Sequence, residues 1–431
     1  MKMGASLVGL FLMTLLSGVT LAEPIANGLD IHLVSHPDGE AAFSFDKSVF
    51  EGDLSSLPIG VFDSGIGGLT VLDAILSLDV FNNDNLGPGS DGRPDFENER
   101  FLYLGDQANM PYGNYSKVGK IDYLRELILK DAVFLLGNRY WNGNEASFDK
   151  PPVKAIVIAC NTATAYGFED LKAAMKRWEI PVFVVGVVEA GARGLLESAG
   201  DGAIGVMATV GTCASEVYPR TIQSTLGRAG RGVATITQFG SADLAAVIEG
   251  DPAYSVTVEE QVQKDVRQLV EAHRQSQGSG SDTPPVPLTK IILGCTHFPL
   301  AVEEIDAAFA ELNKMPEFDA FIAEERQYIN PAEWTARQLF RELASAKMRR
   351  KGGASESGEI DRFFLSVPNP NSSEVKITTE GALDHDYKYG REVGQWELED
   401  TIIVPMTRSL LPPSSRHLVE NELPEVWKRL P

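Results

Sequence analysis

Between residues 58 and 347 short apolar runs alternate with stretches in which apolar positions recur every three or four residues. The runs at 59–62, 101–104, 155–159, 182–187, 203–207, 233–238 and 290–294 are apolar and predict strands. Between them, Leu124, Leu127, Ile128, Asp131 and Leu135, and later Val258, Val262, Val266, Leu269 and Val270, fall on one side of a helix. Strand followed by helix, repeated, predicts parallel βα units and an α/β fold.

Three polar stretches interrupt this rhythm: 82–98, rich in Asn, Asp, Gly and Pro; 140–152; and 276–287, with Gly-Ser-Gly-Ser and Pro-Pro. Their composition predicts surface loops. MRRKGGASESGE, 348–359, reads as a linker, and the tail to Pro431 has short apolar stretches without a clear period. At the other end, Lys2, an apolar run over 5–16, and the small residues before Glu23-Pro24 read as a secretory signal over 1–22. The run is short for a bilayer and broken at Ser17-Gly18, which favours a cleaved export signal over an anchor. The expected location is therefore outside the cytoplasm, in the periplasm, with no stable membrane insertion after cleavage.

With 431 residues, 43% hydrophobic and 23% charged, the chain is not disordered and is long enough for two or three domains. Sixty acidic against 38 basic side chains give a net charge of -22, which opposes a polyanion and excludes nucleic acid as a partner. A small anionic substrate must then be held locally, by backbone N–H groups and hydroxyls.

Candidate chemistry sits where strands end. PIGVFDSGIGGLTVLDAI, 58–75, delivers Asp63-Ser64 at a strand end, and its glycines turn the backbone into a helix. Its glycine spacing fits neither a dinucleotide loop nor a phosphate loop. VKAIVIACNTATAYG, 153–167, ends a strand at Cys160 and opens a helix at Asn161-Thr162, where a thiolate is favoured. LTKIILGCTHFPL, 288–300, repeats the arrangement with Cys295, Thr296 and His297. Cys213, in GTCASEVY, reads as a small packing residue. Neither strand-end cysteine belongs to a Cys-x-x-Cys pair, so metal binding and dithiol redox work fit poorly. Two matched thiols suit inversion of an α-carbon, since one group must remove a proton from one face while another delivers a proton to the opposite face.

DSGIGGLTV, PYGN at 111–114, ACNTATA, Thr209-x-x-Thr212 and LGCTHFPL, taken in order, resemble the glutamate racemase family of cofactor-independent amino-acid racemases, over about 58–345. INPAEWTARQL, 329–339, is similar to the family's closing helix. The resemblance implies two pseudosymmetric α/β lobes with mainly parallel sheets flanked by helices, and an active site at their interface. The implied division is a signal peptide 1–22, an N-terminal extension 23–57, a first lobe 58–185 completed by about 312–347, a second lobe 186–311, and a C-terminal extension 348–431 of unassigned role.

It further implies that Cys160 and Cys295 are the two catalytic bases, assisted by Asp63 and His297 respectively. Ser64, Tyr112, Gly113, Asn161, Thr162, Thr209, Thr212 and Thr296 would hold the substrate's carboxylates and ammonium. Where the family carries a cysteine-proline tract before a helping acid, this chain reads ITQFGSADLAAVIEGD, 236–251, and Glu249 is the candidate. No metal, pyridoxal phosphate or nucleotide cofactor is required, and a homodimer is possible. The expected activity is interconversion of L- and D-glutamate; another amino acid such as aspartate, or a non-catalytic amino-acid binder on the same fold, are the alternatives. Export departs from a cytoplasmic role feeding cell-wall synthesis.

Overall fold

The computed structural model describes residues 23–198, 200–251, 254–278, 284–352, 361–379 and 381–431; the expected export signal, 1–22, lies outside them. The chain begins with α1 (Glu23–Ser35), β1 (Ile59–Asp63), α2 (Leu69–Ser77), β2 (Phe101–Gly105), α3 (Gly113–Lys117) and α4 (Ile121–Leu136). It continues through β3 (Tyr140–Asn142), β4 (Glu145–Ser147), β5 (Ala155–Ile158), α5 (Asn161–Trp178), β6 (Phe183–Gly186) and α6 (Val187–Glu197). Next come β7 (Ala203–Thr209), α7 (Val210–Ala214), α8 (Val217–Arg228), β8 (Ile236–Ser241), α9 (Leu244–Glu249), α10 (Val258–Ser276) and β9 (Leu288–Gly294). The remainder is α11 (Val302–Asn313), β10 (Ile322–Ile329), α12 (Pro331–Ser345), β11 (Arg362–Pro368), α13 (His385–Gly390), β12 (Thr401–Pro405), α14 (Pro413–Glu422) and α15 (Pro424–Arg429).

Two sheets carry the molecule. The first has the order β12-β11-β2-β1-β5-β6 and the second β10-β9-β7-β8. All neighbours pair in parallel except β11 with β12. In each sheet a central strand has its successor on one side and a later strand on the other: β2-β1-β5-β6 in the first, β8-β7-β9-β10 in the second. The lobes are therefore topological counterparts, with β1 matching β7 and β5 matching β9. Crevices for ligands form outside the carboxyl ends of such strands, at the point where the winding reverses.

The lobes share one core. Val187 and Leu195 of α6, Tyr218 and Ile222 of α8, and Ala336 and Leu339 of α12 belong to a single buried cluster with residues of both sheets. Burial of this kind contributes about 25 cal/mol per Å² of apolar surface, so the lobes are joined by packing as well as by chain.

Several boundaries differ from expectation. The run 233–238 becomes a strand three residues later, Ile236–Ser241, because Ile236 pairs with Ile204, and Val233 is left 90% exposed. Residues 140–152 are not all loop: β3 and β4 form an antiparallel hairpin. The second lobe does not end at 311, since β10 joins its sheet, and the chain returns to the first lobe with α12, which packs on α2 and α6. The tail is no detached extension: β11 lies beside β2 and β12 forms the sheet edge. Within 82–98, Phe96 is buried, and the preceding Phe81 stacks on Phe340 at 4.2 Å, so this loop is anchored to α12.

Candidate active site

Asp63 closes β1 and Cys160 follows β5, in adjacent strands of the first sheet; Thr209 closes β7 and Cys295 follows β9, in adjacent strands of the second. The two thiols thus occupy equivalent positions of two equivalent lobes. Both are buried, each 6% exposed, and both are free thiols, as is Cys213.

Cys160 caps α5: its Sγ accepts from the Ala163 N–H at 3.4 Å and lies 3.7 Å from Ser64 Oγ. Burial, then the nearby Asp63 carboxylate, push its pKa up, so this sulfur rests as a thiol. Asp63 is 3% exposed and accepts from the Gly65 N–H at 3.1 Å. Burial raises its pKa to about 6, against the opposing pull of His297 and of the Gly65 and Gly68 N–H groups.

Around Cys295 the polarity reverses. His297 Nδ1 stands 3.8 Å from Cys295 Sγ, and its Nε2 is 2.8 Å from Glu249 Oε1. Burial pulls the imidazole pKa down, but the Glu249 carboxylate and the Cys295 sulfur outweigh it, and His297 is held well above its ordinary value. An imidazolium between a sulfur and a carboxylate results. Glu249 is only 12% exposed, so it is no solvated helix-end carboxylate.

Hydroxyls from both lobes converge at their interface. Thr162 Oγ1 of the first lobe lies 3.3 Å from Thr209 Oγ1 and 3.2 Å from Thr212 Oγ1 of the second, and the last two are 3.0 Å apart. Asn161 Oδ1 accepts from the Tyr218 hydroxyl at 2.6 Å across the interface, which leaves its amide N–H₂ free to face a ligand. A narrow space beside Cys295 is lined by Asn161 and Val71 of the first lobe and by Thr296 of the second.

Close backbone approach makes this convergence possible. A side chain at Gly67 would overlap the His297 ring and Thr296. A Cβ at Gly211 would stand 2.7 Å from Gly113 Cα. Thr70 Oγ1 donates to the Thr296 carbonyl at 2.9 Å, tying the glycine turn to the second lobe.

The expected residues Asp63, Ser64, Asn161, Thr162, Thr209, Thr212, Cys160, Cys295, Thr296, His297 and Glu249 are therefore linked by contacts where the two lobes meet. Tyr112 is the exception for its side chain. Its hydroxyl lies under the loop between two buried carboxylates, Asp106 at 2.5 Å and Asp131 at 2.7 Å, so it cannot reach a ligand. Burial raises the pKa of both acids. Gly113, by contrast, does border the crevice, where a Cβ would come within 3.8 Å of Thr209 Oγ1.

The Asp/Glu/Hydantoin racemase family model matches residues 145–324. The chain is 30% identical over 325 residues to the glutamate racemase of Pediococcus pentosaceus, covering 75% of this chain and 95% of that one. The chain belongs to the glutamate racemase family. This racemase is also 31% identical over 255 residues to the glutamate racemase of Limosilactobacillus fermentum, covering 59% of this chain and 74% of that one. Its fold is that of the Francisella tularensis glutamate racemase, solved in complex with D-glutamate: TM-score 0.50 at 22% identity, over 79% of this chain and 96% of the other. It is an isomerase, an amino-acid racemase.

Two residues of this racemase's crevice carried no signal in sequence. Tyr218 sits in an ordinary amphipathic helix, and Thr70 is one hydroxyl inside an apolar turn of α2; only the apposition of the lobes gives either a partner.

Proposed function

We propose that this racemase interconverts L- and D-glutamate by a two-base mechanism in which Cys160 and Cys295 face opposite sides of the substrate's α-carbon. The observation that carries this reading is the equivalence of the two thiols: each follows the corresponding strand of its lobe, and each has its own ionisable partner, Asp63 or the His297–Glu249 pair. One sulfur, as thiolate, takes the α-proton and becomes a thiol; the other, as thiol, delivers its proton to the opposite face and becomes a thiolate. Charge and protons balance, and the reverse reaction exchanges the roles.

The intermediate carbanion places charge at the substrate carboxylate. The Thr162, Thr209 and Thr212 hydroxyls and the Asn161 amide offer donors there without requiring a basic protein, which reconciles an anionic substrate with a net charge of -22. Glutamate as the substrate is supported by the relatives' activity, glutamate racemase in both cases. The reading of 1–22 as an export signal belongs to the same proposal; N-terminal sequencing of the mature protein should begin at Glu23.

In deuterated water the wild type should label the α-position of glutamate while racemising it. Cys160→Ser and Cys295→Ser should each lower kcat by about 10³-fold or more. Racemisation by both variants at the wild-type rate would defeat the two-thiol assignment; wild-type racemisation of aspartate but not glutamate would defeat the substrate.

A further inference from the structure

The loop 106–115 follows β2 and forms part of the crevice wall. Gly113 abuts Gly211 and the Thr209 hydroxyl, while Met110 Sδ and Gln107 Oε1 press on Gly65 of the glycine turn. What holds this loop from behind is the C-terminal extension. Ser366 of β11 donates to Asp106 Oδ1 at 2.6 Å and accepts from the Ala108 N–H at 3.0 Å. Lys388 of α13 donates to the Met110 carbonyl. Arg391 is 8% exposed and donates to Asn109 Oδ1 at 2.5 Å, to the Tyr115 hydroxyl at 3.0 Å and to Asp400 at 2.7 Å.

We propose that Lys388 and Arg391 are positioning residues for substrate binding, through which the C-terminal extension fixes the loop 106–115 against the crevice. The proposal rests on the reading of Gly113 as part of the substrate's enclosure. The segment 106–115 must lose conformational entropy to hold a ligand wall in place. Bonds from β11, α13 and Arg391 of the packed extension meet that cost before the substrate arrives. The two cations also face the buried Asp106, so they balance charge beneath the loop as well as bracing its carbonyl and amide groups.

The extension braces the loop and not the thiols, so the effect should fall on binding and leave the proton transfers intact. In the full-length protein, Lys388→Met should raise KM about tenfold while kcat stays within about twofold, and Lys388→Arg should restore KM to within about threefold of wild type. Arg391→Gln should raise KM at least as far; if it fails to fold, the Lys388 pair decides. KM is measured for whichever of glutamate or aspartate the wild type racemises, so a wrong substrate assignment leaves the comparison intact. A folded Lys388→Met protein with wild-type KM, or one that loses kcat at unchanged KM, overturns the proposal.

Discussion

Asp63 is held between opposing influences: the interior drives it towards the neutral acid, and His297 and two backbone N–H groups draw it towards the anion. With a pKa of about 6 it is ionised at neutral pH and can receive a proton from the Cys160 thiol beside it. On the proposed two-thiol mechanism, kcat/KM for the enantiomer that Cys160 would deprotonate should fall as pH drops through about 6, and Asp63→Asn should abolish that limb while slowing the reaction about 10–100-fold. Stability should move the other way. Because the folded value lies above the ordinary 3.8, the group's stabilising contribution is complete below 3.8 and is lost as pH rises through about 6. Thermal melts at pH 8 should show Asp63→Asn more stable than wild type by up to about 3 kcal/mol, the trade expected of an acid kept in place for chemistry. In the proposed mechanism Glu249 acts through His297, so Glu249→Gln should shift the His297 titration downward by NMR and lower kcat about tenfold for the enantiomer that Cys295 would deprotonate.

At the scale of elements, the loop after β2 meets the second lobe backbone to backbone, and the glycine turn after β1 lies against the His297 and Thr296 side chains. Gly211→Ala would put a methyl carbon 2.7 Å from Gly113 Cα, and because the obstacle is backbone it cannot rotate aside. The lobes would be held apart by a fraction of an ångström to an ångström, and kcat/KM should fall about 100-fold in a steady-state assay with the fold intact by circular dichroism. Gly119, whose Cβ direction is open but whose φ is +73°, offers a contrast: alanine there strains the backbone and should cost stability without a comparable loss of kcat/KM. Strand identity was legible because βα units announce themselves by apolar runs and helical periods. The hairpin β3–β4, β11 and the edge strand β12 were not, since each depends on a partner for its pattern to mean anything.

For the molecule as a whole, the tail completes the first lobe. Val419, Leu423, Val426 and Leu430 are buried against it, and Asp73 of α2 accepts from the Glu425 and Val426 N–H groups at 2.9 and 3.0 Å. Truncation after Pro405 should therefore expose a continuous apolar face and lower Tm by about 10 °C or more, or leave the protein insoluble, as scanning calorimetry of the purified chain would record.

The sequence by itself determined that the chain is built from parallel βα units, that Asp63, Cys160 and Cys295 stand at strand ends, and that anion binding must be local. These follow from short-range physics, namely side-chain periodicity, glycine turns and helix starts. Tertiary structure alone decided that Glu249 grips His297, that Tyr218 orients Asn161, that the Tyr112 hydroxyl points away from the crevice, and that residues 361–431 belong to the first lobe. Each of these joins groups separated by many residues or by a lobe boundary. A contact between distant segments has no period to read; it exists only once the chain has folded and the two lobes have met.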